Sequence, residues 1–375
     1  MTLEDGSKVL IHKENVSFIN KDNQTTQLYP GSVFSLSADR VRFKGVVDSS
    51  DPRPDYHGKP VLEIDITSGG GLHRIVETSE IAEKGEDFWS LEKLTTEEIE
   101  KQLGEWKAVY EKLDLAGFTL PSREELMTYL SDSSEFVELL KAKEQQGFTK
   151  MVIAPLELKP IIEKLDAQVK TQGGTDRYLS DTWTVMLADE SKIKYHADLT
   201  TDSTGKIIAT GGQTVTQMKA SPEEYGILGG CLVSFVKERQ NLLKIGDTDE
   251  IDSTGRKEIK GGQTAKAYLD TYFSEKDPNY HGEEAMLPQE WLALFADDLY
   301  QKYLKDNRQM PASSSVTDLL DTQTATWFTS TYLPGRGVLP YAYWYSGDRQ
   351  LRFYGRRPDD TGDYLAPRPS VRKSL

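Results

Sequence analysis

Cysteine is all but missing from this 375-residue chain: Cys231 stands alone, so an internal disulfide is excluded. Its neighbours, Ile227, Leu228, Leu232, Val233 and Phe235 among glycines, are apolar and point to a buried, inert thiol. Histidine is sparse, at His12, His57, His73, His196 and His281. A metal-binding or catalytic histidine normally has ligands or a base nearby. His196, in Lys194-Tyr195-His196-Ala197-Asp198, is the best placed of the five, yet a structural or surface role is the stronger reading there too. No apolar run is long enough to span a membrane, and Met1 to Leu10 does not form a charged-then-apolar leader. Membrane insertion and a secretory signal are therefore not expected, which leaves the cytoplasm or export by an unrecognised route. Basic runs are missing as well. With 45 Lys and Arg against 60 Asp and Glu, the net charge is −15, and nucleic acid is not expected as a partner.

Catalytic motifs are also lacking. The chain contains no GxxxxGK[ST] phosphate loop, no HExxH, no paired CxxC and no GxSxG elbow. The Gly-Gly pairs are not set between a strand and a helix as a nucleotide site needs. No cofactor and no metal is expected, and the chain reads as a non-enzyme. A carboxylate pair assembled by the fold, of the glycosidase kind, leaves no trace in sequence and stays open.

What is present suggests three regions of an α+β chain. Residues 1–90 hold short alternating runs (Lys8–His12, Val16–Asn20, Ser32–Leu36, Arg40–Val47, Pro60–Ile66) separated by turn residues such as Pro30-Gly31. That pattern reads as a small antiparallel β barrel or sandwich. Residues 91–147 read as a helical connecting segment. Thr95 with Glu98 and Ser122 with Glu125 form capping boxes, Ile99, Leu103, Trp106, Tyr110 and Leu113 recur at helical spacing, and a third helix runs from about Ser134 to a stop at Gly147. Residues 148–375 mix strands (Met151–Leu158, Thr182–Ala188, Cys231–Glu238) with helices over Lys159–Lys170 and Pro288–Asp306 and a further one over Leu319–Thr326. One motif recurs: Asp202-Ser203-Thr204-Gly205 precedes Gly211-Gly212-Gln213-Thr214, and Asp252-Ser253-Thr254-Gly255 precedes Gly261-Gly262-Gln263-Thr264. Two similar turns, each leading toward a helix, explain the echo better than a paired site.

The last 36 residues, Pro340 to Leu375, are built differently. Tyr341, Tyr343, Tyr345, Tyr354 and Tyr364 offer rigid amphipathic area, and Arg349, Arg352, Arg356 and Arg357 offer forked cationic donors. Tyrosine and arginine give contact area at low entropic cost, the vocabulary of a contact surface. From Tyr341 onward, seven basic residues (Arg349, Arg352, Arg356, Arg357, Arg368, Arg372, Lys373) face four acidic ones (Asp348, Asp359, Asp360, Asp363). A cationic aromatic surface on an acidic protein suggests a polar or anionic ligand. Alternation in Arg349–Tyr354 puts Leu351 and Phe353 on one face and Arg352 and Tyr354 on the other.

This arrangement resembles the variable proteins of diversity-generating retroelements, in which a C-type lectin fold displays a hypervariable patch near the chain's end. The likeness rests on Pro340-Tyr341-Ala342-Tyr343-Trp344, the tract of Tyr, Ser, Asp and Arg that follows, and the closing Leu365-Ala366-Pro367-Arg368-Pro369-Ser370-Val371-Arg372. That ending is similar to the fixed repeat end of such proteins from uncultivated archaea and bacteria. The resemblance is good over Pro340–Arg372 and loose over Phe148–Arg372. It implies a C-type lectin (formylglycine-generating-enzyme-like) fold over 148–375, with a variable region at about 340–372. It also implies non-enzymatic recognition of an unknown protein or surface ligand through a patch rewritten by adenine-specific mutagenesis.

Such mutagenesis reaches Tyr, Asp, Ser, Gly, Arg and Thr but not Trp or Gln. By the resemblance, the variable ligand-binding positions are Tyr341, Tyr343, Tyr345, Ser346, Gly347, Asp348, Arg349, Arg352, Tyr354, Gly355, Arg356, Arg357, Asp360, Thr361, Asp363 and Tyr364. Trp344 and Gln350 are then fixed, with Trp344 buried beneath the patch beside Leu351 and Phe353. Arg368 and Arg372 hold the frame, and Trp183, Trp291, Trp327, Leu339 and Val371 form its core. The calcium-site triplets of sugar-binding C-type lectins are absent, so calcium-dependent sugar binding is not implied. Two other readings remain: a carbohydrate-acting hydrolase with an accessory β domain, and a structural surface or phage interaction protein whose aromatic end packs on a fixed partner. The oligomeric state is open.

Overall fold

In the computed structural model, residues 95–373 are described in full except 116, 172–189, 253, 275, 311–315 and 348; before residue 95 only the backbone of the strands is described. The chain divides into two compact units, Met1–Leu91 and Glu92–Leu375, and mixes helix and sheet as an α+β protein. In the first unit β1 (Lys8–His12), β2 (Asn15–Ile19) and β3 (Thr25–Leu28) form an antiparallel meander. A second meander joins β4 (Val33–Leu36), β5 (Asp39–Val46), β6 (Pro60–Asp65) and β7 (Arg74–Ile75), with a register shift between Phe43 and Gly45. β1, β2, β4, β5 and β6 coincide with the alternating runs, as expected where turn residues fix the ends, whereas β3 and β7 fall outside those runs.

The second unit opens with α1 (Thr96–Lys112), α2 (Arg123–Ser131) and α3 (Ser134–Gln145). Ser122 and Glu125 complete a reciprocal capping box, whereas Thr95 accepts from the Glu98 amide in a one-sided cap. Gly147, at φ +92°, ends the third helix. The helices are integral to the unit. Gln102, Trp106 and Tyr110, one turn apart on α1, bond the open edge of β8 (Phe148–Pro155). Trp106 Nε1 donates to the Met151 carbonyl at 2.8 Å, Tyr110 Oη to that of Ile153 at 2.9 Å, and Gln102 accepts from the Met151 amide at 2.7 Å. A strand edge left bare invites pairing with another chain, and this helix covers it.

The main sheet is antiparallel: β8 pairs one edge of β12 (Cys231–Lys237), while β11 (Ile227–Leu228) and the C-terminal β18 (Pro369–Arg372) pair the other. β13 (Glu284–Ala285) flanks β18. α4 (Leu158–Thr171) and α7 (Pro288–Leu299) pack beside it. Nearly every residue of α7 is buried, as for a helix inside the core rather than on it. A π turn over Tyr300–Leu304 follows, so the helix read to Asp306 ends in altered winding.

A smaller sheet has the order β16 (Gln350–Arg356), β15 (Leu339–Tyr345), β14 (Ala325–Trp327), β17 (Leu365–Ala366), with β14 and β17 parallel. The helix read over Leu319–Thr326 is not formed. Asp321 sits in the left-handed region at φ +54°, and the chain turns there into β14. The reason lies in what the Asp321 side chain gathers. It accepts from Trp291 Nε1 (2.7 Å), Thr324 Oγ1 (3.1 Å), Thr326 Oγ1 (2.5 Å) and Arg368 Nη2 (2.6 Å), and the turn is what brings these donors together.

The recurring motif is local structure in both copies, the first forming the turn of the antiparallel pair β9 (Tyr195–Thr201) and β10 (Ile207–Gln213). Asp202 and Asp252 each accept from the amide and hydroxyl of the threonine two residues on. Thr214 then caps α5 (Val215–Ala220), and Thr264 caps α6 (Ala265–Tyr272). Trp291, Trp327, Leu339 and Val371 are fully buried. Trp183 and the strand expected over Thr182–Ala188 lie outside the described residues.

Candidate functional site: the tyrosine face of the small sheet

Strand alternation divides β15 and β16 cleanly. In the antiparallel register Ala342 faces Phe353 and Trp344 faces Leu351, while on the opposite side Tyr341 faces Tyr354, Tyr343 faces Arg352 and Tyr345 faces Gln350. Ala342, Trp344 and Phe353 are buried against α7, with Trp344 5.6 Å from Phe295 and Phe353 5.6 Å from Trp291, centroid to centroid. Trp344 also donates its indole hydrogen to the Val316 carbonyl at 3.1 Å. Leu351 shares this face but is only half-buried, near the open end of the strand.

The other face carries a ladder of rings. Tyr341, Tyr343 and Tyr354 stack with centroids 5.8–6.2 Å apart, and Tyr345 meets Tyr343 edge-on at 6.5 Å. The Arg352 guanidinium lies 3.7 Å over the Tyr345 ring. Such stacking orders side chains that would otherwise lose rotamer freedom on binding.

The structure sorts the sixteen sequence-derived positions into three places. Tyr343, Tyr345, Arg352, Tyr354 and Arg356 lie on the outer face, half-buried or exposed. Ser346, Gly347 and Arg349 form the hairpin turn at one end of the strands, with Arg349 at φ +51°; Asp348 lies outside the described residues. Arg357, Asp360, Thr361, Asp363 and Tyr364 occupy the loop at the other end, about 20 Å away by strand rise. Two positions depart from the expectation. Tyr341 is only 8 % exposed, because it joins a second apolar cluster with Trp327, Leu339, Leu365 and Tyr268 of α6. Gly355 shares the inward face of Phe353 by alternation. Burial pushes the Tyr341 phenol up to about 12 and raises that of Tyr343, so both stay neutral donors near neutral pH.

Behind the face, buried arginines hold the frame, as the closing residues suggested for Arg368 and Arg372. Arg368 spans Asp321 and the carbonyls of Arg239 (2.7 Å) and Gln240 (3.0 Å). Arg372 joins Glu284 and Glu290. Arg256 forks onto Glu283 (2.8 and 2.7 Å), which also takes Lys143 (2.8 Å). The Glu284 carboxyl, which burial alone would raise, is held well below its usual range by Arg372 and His196.

His196 sits at φ +53°, with Lys194 paired to Tyr332 on one side and Ala197 bonded to Ser330 on the other. This irregularity aims its Nδ1 at Glu284, 3.3 Å away, inside the frame and apart from the tyrosine face. Gly212 opposite admits the bulge, since a Cβ there would lie 3.0 Å from the Tyr195 carbonyl. No group of three or more metal-ligating side chains occurs among the described residues, and no described helix is long and apolar enough to cross a membrane. Three clefts, of about 610, 470 and 680 Å³, are lined by residues away from the tyrosine face.

Sequence reasoning missed Asp321, whose role depends on partners 30 and 47 residues away. Together, these elements define an α+β protein whose small sheet carries an aromatic and cationic outer face. No family model, curated protein or solved structure matches the chain.

Proposed function

We propose that the chain is a non-enzymatic recognition protein of the lectin-fold variable type, gripping a ligand with the outer face of β15 and β16 and the adjoining loops. One observation carries this reading: a single register separates a fixed interior (Ala342, Trp344, Phe353) from an exterior of tyrosine and arginine. Side chains on such a face contribute little to folding, so they can be exchanged while the frame stays intact. The rings are pre-stacked, which lowers the entropic cost of binding. Sequencing the DNA beside the gene tests the proposal. A reverse transcriptase and a repeat of the 340–372 coding stretch, differing from it at adenines, is the expected result. Close copies should differ at Tyr343, Tyr354 and Arg356 but not at Trp344. A neighbourhood with no such repeat, together with copies identical across the tract, overturns it.

A further inference from the structure

β9 is anchored on its far side, where Lys194 pairs with Tyr332 and the Ala197 amide donates to the Ser330 carbonyl at 2.9 Å. β10 is the outer strand of the hairpin, and among the described residues it pairs with β9 and with no other strand. The Asp202 amide donates to the Lys206 carbonyl at 2.9 Å, which fixes the phase of the ladder. By antiparallel alternation Lys206, Ile208 and Thr210 turn their amides and carbonyls toward β9, while Ile207 and Ala209 turn theirs to the open edge. The side chains keep the same phase. Ile207 and Ala209 pack on the apolar cluster of Tyr268 and Trp327, whereas Asp198, Lys206, Ile208 and Thr210 are exposed.

A bare strand edge recruits another strand unless charge, proline or a bulge protects it. The edge of β8 is sealed by Gln102, Trp106 and Tyr110, but Ile207–Thr210 contains neither a charge nor a proline. Its irregular positions, Gly211 at φ +65° and Gly212 at φ +77°, come only after this stretch. The same stretch of a second copy completes it. About a two-fold axis through Ile208, Ile207 of each copy exchanges hydrogen bonds with Ala209 of the other, so all four outward groups of each strand are used. Ile208 then meets Ile208 of the second copy as a non-hydrogen-bonded pair, with Cα atoms about 4.5 Å apart, where side chains approach closest. On that face Lys206 falls beside Thr210 of the second copy, and that copy's Asp198 lies one strand beyond. Two strand spacings separate the backbones of Lys206 and this Asp198, about 10 Å, which a lysine side chain spans over a threonine.

We propose that the chain self-associates through β10, as a symmetric dimer whose two hairpins join into a four-stranded antiparallel sheet of order β9-β10-β10-β9. A second copy fits better than an unrelated strand, because this register sets apolar Ile208 against itself and Lys206 within reach of Asp198, each contact to a charge made twice by symmetry. The inference stands apart from the reading of the tyrosine face. Where both hold, one particle carries two such faces and grips a repetitive surface with avidity.

Sedimentation velocity of the full chain over a concentration series tests this. The interface is small, so wild type should pass from monomer to dimer at about 10–100 µM. The variants lie at exposed positions, and each is first checked by thermal melting. Ile208→Lys should weaken association about tenfold, by losing the apolar contact and setting like charges opposite each other. Lys206→Asp and Asp198→Lys should each weaken it about fivefold, and the two combined should restore it. Under a copper–phenanthroline oxidant, Ile208→Cys should give a disulfide-linked dimer, whereas Thr200→Cys, on the same face of β9, should not. A chain that stays monomeric at every concentration, or a dimer indifferent to Ile208→Lys and to the charge reversals, overturns the proposal. A dimer in which Thr200→Cys cross-links as readily as Ile208→Cys overturns it too. None of these results touches the recognition reading, which the neighbouring DNA tests.

Discussion

Trp344→Ala should destabilise the second unit by about 4 kcal/mol, since removing a buried tryptophan typically costs about 3–5 kcal/mol in transfer and cavity terms. Trp344 has no exposed surface, packs on Phe295, and bonds the Val316 carbonyl. Losing that hydrogen bond strands a buried acceptor and contributes roughly 1 kcal/mol of the total. Tyr354, ten residues further on and on the opposite face, is half-buried between Tyr341 and Tyr343. Its two ring contacts are worth about 0.5–1.5 kcal/mol each, so Tyr354→Ala should cost about 1–2 kcal/mol. Urea unfolding followed by far-ultraviolet circular dichroism reads both variants without relying on the fluorophore removed. The ranking is the test. A Trp344→Ala curve within 1 kcal/mol of wild type, or a Tyr354→Ala curve displaced further than that of Trp344→Ala, refutes the division between frame and surface.

Three further outcomes follow from the frame. Asp321→Asn should destabilise the unit by about 3–5 kcal/mol in the same assay, because Arg368 would be left as a buried, unneutralised charge. Because the folded carboxyl of Glu284 lies below its ordinary value, its contribution to stability is full above the unfolded value near 4.3 and is lost as the pH falls below that. Urea midpoints should therefore drop between about pH 5 and pH 3, and Glu284→Gln, destabilised at neutral pH, should show a shallower drop. Burial pushes the Cys231 thiol up to about 12, so a disulfide-exchange reagent at pH 8 should label the native chain only on unfolding; rapid native labelling would contradict the buried position.

Much of this architecture can be read from the chain where the cause is local. Alternation in Gln350–Arg356 needs only the two-residue strand period, and the capping of α2 needs only Ser122 and Glu125. Trp344 reads as buried beneath the outer residues of its strand, and the structure places it in the core. Distant causes leave no such mark. Nothing near Asp321 announces that Trp291 and Arg368 converge on it, so Leu319–Thr326 reads as helix until the turn is seen. Trp106 and Tyr110 read as an ordinary apolar stripe, yet their polar atoms seal a strand edge. Tyr341 reads like its neighbours in the tract, and only the packing of α6 and β17 shows that it is mostly covered. The close approach of Gly261 to the Asp363 carbonyl is likewise invisible, because sequence separates Gly261 from Asp363 by about a hundred positions.

The pairing of β14 with both β15 and β17 moors the tract upstream and downstream to the same short strand. Everything between Leu339 and Leu365 thus behaves as a cassette slung from two fixed points. Substitutions on the outer face of that segment leave both moorings in place. A synthetic repertoire inserted between those moorings, sparing Pro340, Tyr341, Ala342, Trp344, Gln350, Phe353 and Pro358, should still fold.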